Sequence, residues 1–239
     1  MRRDHRPYFI RRAYLKFQEF YVEHFLRPQF ESLGRGCTFV RPWNVVIFGS
    51  RISLGDYANV IAAFDAKIRL AVWGDKEDLG RIQIGSYCLI CPSVRVSSAC
   101  EIVVGDSCML ANDVYITDSD WHDAYSRVTI GKTAPVRIEE NVWVGDRATI
   151  CKGVTIGKNS IIGAGAVVSN SIPPNTVAAG NPARIVKSLD PNVRMTTRAH
   201  WYEDPSGLFA VIEKEARNML HGNTLFHWFR SLLFPGKKD

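Results

Sequence analysis

The sequence predicts an all-β core wound as a parallel β-helix, with helical segments at both ends. Three observations carry this. From Ile138 to Pro173 the chain reads in sixes, as IEENVW, VGDRAT, ICKGVT, IGKNSI, IGAGAV and VSNSIP. An isoleucine or valine opens every hexapeptide. The fifth position holds Val, Ala, Val, Ser, Ala and then Ile, mostly small residues. Neither a helix nor a plain strand repeats every six residues, so this period overrides local propensity. Six residues make one flat face and three faces close a coil. The opening aliphatics then stack inward from coil to coil, and the small fifth residue fits where the wall bends.

Taken in order, residues 1–45 form a helical, amphipathic N-terminal segment. Ile10, Tyr14, Phe17, Tyr21 and Phe25 recur every three to four residues and predict an aromatic stripe on a helix over 8–26. Arg11, Arg12, Lys16, Glu19 and Glu23 lie off the stripe, and Pro28 and Gly34 end the element. Such a stripe suits packing on the β-helix or on a neighbouring subunit, and its arginines also suit an anionic membrane surface. Arg11 and Arg12 follow YFI at once, so no apolar signal-peptide core is expected and the cytoplasm is the default compartment.

The β-helix is expected over 46–187. LGDYAN and VIAAFD fit the template, Ile68, Leu70 and Val72 break its phase, and WGDKEDLG (73–80) reads as a protruding loop. IGSYCL, ICPSVR and VSSACE restore the register, Ile102 and Val103 are inserted, and VGDSCM and LANDVY follow. This gives roughly six to seven coils at about 4.8 Å spacing. Cys88, Cys100 and Cys108 occupy fifth positions, where small buried residues belong, and Cys91 and Cys151 second positions. The lone C-x-x-C, Cys88 to Cys91, makes neither a metal site nor a disulfide framework.

The pattern stops after Ile116 and resumes at Ile138, leaving an active-site loop at 117–137. Solenoids accept insertions only as projecting loops, where function concentrates. This one carries Asp118, Asp120, His122 and Asp123, together with Trp121, Tyr125 and Arg127. His122 is the one histidine between His24 and His200. An imidazole near neutral pKa can take the proton of a hydroxyl nucleophile.

DWHD with its long loop, NVWVGD, GVTIGKNSIIGAGAVV, IPPN and AAGNPARIVK together resemble the hexapeptide-repeat acyltransferases. Within that family they are most similar to the galactoside, maltose and polysaccharide O-acetyltransferases. The resemblance implies a left-handed β-helix, a homotrimer, and acyl-CoA, acetyl-CoA in the first instance, bound between adjacent subunits with no metal. It places the general base at His122, oriented by Asp118, Asp120 or Asp123, and an oxyanion donor at the Gly145-Asp146 turn. Trp143, Gly145, Asp146, Ala164 and Ser169 would meet the pantetheine arm, and Arg184 and Lys187 the phosphates. The acceptor-orienting asparagine of galactoside-type relatives is missing from ICPSVRVSSACE, which offers Ser93, Ser97 and Ser98 instead. Ser97 and Ser98, with Trp121 and Arg127 of the loop, are therefore the candidate acceptor contacts.

The implied activity is transfer of an acetyl or short acyl group to a hydroxyl of a saccharide or glycolipid. Alternatives are N-acetyl transfer to an amino sugar, a longer acyl donor on acyl carrier protein, and a non-catalytic trimeric scaffold. A β-helix carbonic anhydrase would need three histidine ligands, and a nucleotidyltransferase fusion would need an α/β domain that 45 residues cannot make.

The last segment, 188–239, begins as a linker or cap and continues as a helix from Leu208 with a mostly apolar face, stopped by Gly222. TLFHWFRSLLFPGKKD follows, apolar from Leu225 to Phe234 and then basic. Residues 1–30 hold seven Lys/Arg against three Asp/Glu, and residues 225–239 three against one, so the net charge of +6 sits at the two ends. A body neutral on balance argues against nucleic-acid binding. Basic, aromatic ends predict peripheral attachment to an anionic membrane surface, where a lipid-linked glycan becomes a reachable acceptor.

Overall fold

A computed structural model describes residues 4–73, 80–129, 131–234 and 236. The expected loop at 73–80 therefore lies, apart from Trp73 and Gly80, outside the described residues. The chain divides into two compact units, one of residues 21–200 and one of residues 1–20 with 201–239.

The larger unit is a left-handed parallel β-helix of six coils and part of a seventh. Its first face stacks Ser32–Leu33, Ile52–Leu54, Ile82–Ile84, Ile102–Val104, Val136–Ile138 and Thr155–Ile156. The second stacks Thr38–Val40, Asn59–Ile61, Leu89–Ile90, Met109–Leu110, Trp143–Val144, Ile161–Ile162 and Thr176–Ala179, closed by antiparallel Arg184–Ser188. The third stacks Val45–Phe48, Ile68–Val72, Arg95–Ser98, Tyr115–Thr117, Thr149–Ile150 and Val167–Val168. The chain visits the faces in that order in every coil.

Parallel register places identical positions above one another. Leu70, Val96, Ile116, Ile150 and Val168 form one inward column, each buried. Burial of each such side chain contributes about 1.5–3 kcal/mol. Corners bend in the left-handed backbone region, and Asn141, Asn159 and Asn175 occupy it in successive coils. Their amides form a ladder, Asn141 Nδ2 to Asn159 Oδ1 at 3.0 Å and Asn159 Nδ2 to Asn175 Oδ1 at 2.9 Å.

The wall starts earlier than its repeats. Ser32–Leu33 and Thr38–Val40 already pair with the second coil, although ESLGRGCTFV shows no hexapeptide. Gly34 permits this, because a Cβ there would sit 2.5 Å from Asp56 N. Cys88 and Cys108 fill corners as expected, their thiols donating to Gly105 O (3.2 Å) and Glu139 O (3.0 Å). Cys100, expected at a buried fifth position, is only half-buried. All six cysteines are free thiols.

The predicted N-terminal stripe is covered only in part: Ile10, Tyr14 and Tyr21 are half-buried, and Tyr21 packs against the core. A helix α1 (Tyr8–Tyr21) runs into a π-helical turn (Val22–Leu26), and Val22, Leu26 and Phe30 join the β-helix core while Phe17 and Phe25 are exposed. The buried row is spaced strictly by four, which the aromatics are not.

The smaller unit combines α1 with α2 (Pro205–Met219) and α3 (Leu225–Leu233). Asp204 caps α2 through Gly207 N at 3.0 Å, and Thr224 caps α3 through His227 N at 3.2 Å. Arg217 stacks on the Tyr8 ring and donates to its hydroxyl at 3.1 Å. Asn223 Nδ2 holds the N-terminal strand of chain at Asp4 O (2.7 Å) and Arg6 O (3.0 Å). The expected apolar face of α2 is largely outside, with Val211, Ile212 and Met219 exposed and Ala216 and Leu220 buried. Among the described residues no helix is long and apolar enough to cross a membrane.

Candidate active site

The long insertion leaves the third face after Thr117 and returns to the first face at Val136, so it springs from the edge between those two faces. An antiparallel bridge, Ser119 to Thr133, closes its neck. Main-chain bonds from Asp120 N to Lys132 O (2.9 Å), Gly131 N to Asp120 O (2.7 Å) and Asp123 N to Thr129 O (3.0 Å) stiffen it. Gly131 is forced by close packing: a Cβ would lie 2.6 Å from Asp120 O and 2.7 Å from His122 O.

Each candidate aspartate serves the loop itself. Asp118 is fully buried and accepts from Ser98 Oγ (2.6 Å), Ala99 N (2.7 Å) and Cys100 N (2.9 Å), clasping the loop's base to the preceding coil. Asp120 pairs with Lys152 one coil further on, at 2.7 Å. Asp123 accepts from Tyr125 N (2.8 Å) and Ser126 N (3.1 Å), and these backbone donors hold its carboxyl below the ordinary range. Arg127 donates to Asp123 O at 2.6 Å and so stays within the loop. His122 is exposed, and among the described residues no aspartate hydrogen-bonds its ring.

Trp121 sits beside it with its indole N–H shared between Thr117 Oγ1 (3.1 Å) and Tyr115 OH (3.2 Å). Its ring meets Trp73 edge-on at 6.1 Å, and Trp73 lies against Phe48 at 4.5 Å. Arg95 covers the Tyr115 ring at 4.8 Å and donates to Ser97 Oγ at 3.3 Å. An aromatic ledge thus runs from the loop along the third face. Ser97 and Ser98 do not belong to its surface. They are 1% and 0% exposed, and Ser98 Oγ is spent on Asp118. Their expected contact with an acceptor is corrected accordingly. Phe48, Trp73, Tyr115, Arg95 and Lys152 are the neighbours that sequence reading missed; only the shared outward phase of Arg95 and Tyr115 could have signalled any of them.

The residues expected to meet the co-substrate fall in two places. Trp143 is 46% exposed on the second face, in register with Met109, Ile161 and Val177, and Val177 pairs with Lys187. An apolar strip therefore ends on Lys187, three strand spacings or roughly 14 Å from Trp143, with Arg184 further along the same last strand, opposite Ala179. Gly145, Asp146 and Ala164 border this strip at the edge between the second and third faces. Gly145 admits no side chain, since a Cβ would lie 2.7 Å from Ala164 N and Ile162 O. Its N–H donates to Ile162 O at 2.8 Å, so of the two candidate oxyanion donors Asp146 N–H is the one without an acceptor among the described residues. The Asp146 carboxylate faces the preceding coil, accepting from Asn112 N at 3.1 Å. Ser169 lies apart, exposed at the edge from which the His122 loop springs.

That edge is opposite the second face. In a coil ordered first, second, third, the loop of one chain lies across the prism from that chain's own Trp143 strip.

Comparison with known proteins agrees with this architecture. Residues 135–170 match the family model "Bacterial transferase hexapeptide (six repeats)". The galactoside O-acetyltransferase of Escherichia coli K12 is 30% identical over 168 residues, covering 70% of this chain and 68% of that protein. A Schizosaccharomyces pombe protein named "Putative acetyltransferase C18B11.09c" is 39% identical over 93 residues, which is 37% of this chain and 44% of that protein. AntD, an N-acyltransferase from Bacillus cereus solved with dTDP and coenzyme A, shares the fold at TM-score 0.57 and 19% identity, over 70% of this chain and 88% of that one. With its repeats, its long interrupting loop and this degree of identity, the chain belongs to the hexapeptide-repeat acetyltransferases.

Proposed function

We propose that this protein transfers an acetyl or other short acyl group from acyl-CoA to a hydroxyl of a saccharide-bearing acceptor, with His122 as general base. The observation that carries the reading is the stiffened loop. Its carboxylates and arginine are engaged within the fold, and its imidazole is exposed beside them. His122 takes the proton of the acceptor hydroxyl as the oxygen attacks the thioester carbonyl. The tetrahedral oxyanion is met by a backbone N–H, for which Asp146 is the available donor. Collapse breaks the carbon–sulfur bond, the imidazolium returns its proton to the leaving thiolate, and ester and free thiol result.

The strip headed by Trp143 suits the long arm of the donor, and Lys187 and Arg184 suit its phosphates. Because strip and loop lie on opposite sides of one chain, the site is composed of the strip of one copy and the loop of another, which a homotrimer supplies. The ledge of Trp121, Trp73 and Phe48 supports a saccharide, whose C–H faces stack on aromatic rings while Arg95 and Tyr115 offer polar groups beside them.

Thiol release from acetyl-CoA across a panel of saccharide acceptors tests this. His122→Ala should lower kcat by roughly 10²–10⁴-fold with little change in KM. Oligomers mixed from His122→Ala and Trp143→Ala chains should regain activity that neither shows alone. Equal rates in wild type and His122→Ala would reject catalysis in favour of a scaffold, and mixed oligomers as inactive as their parents would reject the shared site.

A further inference from the structure

Helix α3 is amphipathic, and most of its apolar arc is left uncovered. At about 100° per residue, Trp228, Leu232, Leu225, Phe229, Leu233 and Phe226 fill one arc and Arg230, His227 and Ser231 the other. In water the apolar arc should face the protein. Here Phe226, Leu232 and Leu233 are 74%, 61% and 70% exposed, and no residue of α3 is buried. His227 and Arg230 instead line a pocket of about 340 Å³ with His5, His221, Gly222 and Asn223. Helix α1 likewise leaves aromatics uncovered, with Phe9, Phe17 and Phe20 more than half exposed while Gln18 is buried.

We propose that the helical unit is a lipid-binding module, in which the outward arc of α3 enters an anionic phospholipid surface and the His5–His221–His227–Arg230 pocket takes a headgroup phosphate. The pocket's chemistry selects an anion. Three imidazoles, a guanidinium and an amide line it, and among the described residues no carboxylate does. Its rim adjoins the apolar arc, because Arg230 stands next to Phe226 around the helix. The same juxtaposition separates a bilayer from a second copy of the chain as the occupant. A contact between copies would cover the apolar arc with protein, whereas an anionic bilayer takes the arc and the adjoining basic rim together. Arg11 and Arg12 of α1 and the terminal Lys237 and Lys238 add to a positive excess that anionic lipid attracts. The half-buried Trp228 contributes the amphipathic ring that interfaces favour.

The test is co-sedimentation of the full chain with phosphatidylcholine vesicles with and without phosphatidylglycerol. The protein should pellet with the anionic vesicles. Phe229→Glu with Leu233→Glu should lower partition roughly tenfold or more, each change removing apolar contact and adding repulsion. Arg230→Glu with His227→Ala should weaken binding to anionic vesicles by a similar factor while leaving the weak partition to neutral ones. All four positions are exposed, so far-UV circular dichroism should be unchanged, and thiol release with a soluble saccharide acceptor should match wild type. A full chain that stays in the supernatant overturns the proposal. So does an outer-arc variant that still binds anionic vesicles while its oligomeric mass falls in light scattering, which would make α3 a contact between copies. Pocket variants that bind anionic vesicles as wild type does overturn the headgroup site.

Discussion

Replacing Asp118 distinguishes a structural clasp from a catalytic partner. Its carboxylate receives three donors: a hydroxyl at 2.6 Å and two main-chain N–H groups at 2.7 and 2.9 Å. In Asp118→Asn one oxygen remains, and the new NH₂ faces a donor whichever way the amide turns. Ser98 can rotate its hydroxyl to accept, but one N–H of Ala99 or Cys100 loses its partner. An unmet buried donor costs about 1–3 kcal/mol, and the surviving bonds lose their charge assistance. A total of about 2–4 kcal/mol follows, with the lower half favoured because Ala99 and Cys100 are only half-buried. At about 2–4 °C per kcal/mol for a chain of this length, the melting temperature should fall by about 4–16 °C. Thermal melts followed by fluorescence, with kcat measured well below the transition, give both quantities. A melting temperature equal to wild type with a hundredfold loss in kcat would refute the clasp and return Asp118 to the histidine.

Two further expectations concern the loop. Gly131→Ala places a methyl group 2.6 Å from Asp120 O and 2.7 Å from His122 O, so the backbone must shift; steady-state kinetics should show kcat falling by roughly 10–100-fold with a change in melting temperature of only a few degrees. Asp123 has a lowered pKa from the Tyr125 and Ser126 N–H groups, so its contribution to loop order is complete above the ordinary value of 3.8 and is lost as pH falls below it through the lowered value. Amide exchange at Tyr125 and Ser126 should accelerate in that acid range, and Asp123→Asn should show the fast exchange already at neutral pH.

The inward half of the wall was legible because its period is covalent. Ile84, Val104, Ile138 and Ile156 recur at the start of hexapeptides and stack in one buried column. The first coil escaped notice because Gly34 and Arg35 fit it by close approach and a bond to Asp56, not by aliphatic spacing. His122 was legible as an interruption. Ser97 and Ser98 misled because hexapeptide phase assigns direction without knowing which other side chains reach them: Arg95 of the same strand bonds Ser97, and Asp118 of the next coil returns to Ser98. The aromatic ledge had no sequence signal, since stacking brings together Phe48, Trp73 and Trp121 from three separate turns of the chain.

The disposition of the three aspartates also constrains how the histidine can work. A triad-like arrangement would hold a carboxylate on the imidazole in the isolated chain, ready before any partner arrives. Here Asp118 anchors the loop's base, Asp120 ties its flank to Lys152, and Asp123 folds its tip. These bonds fix where the ring is carried, not which of its nitrogens bears the proton. In the proposed assembly, whatever selects the tautomer therefore comes from the facing wall of another copy or from the acceptor itself. On the proposed reading, such a loop is a rigid arm that offers an unassigned base. A base completed only on assembly links catalysis to oligomerisation, so activity per chain should fall with dilution below the assembly constant even while every chain stays folded.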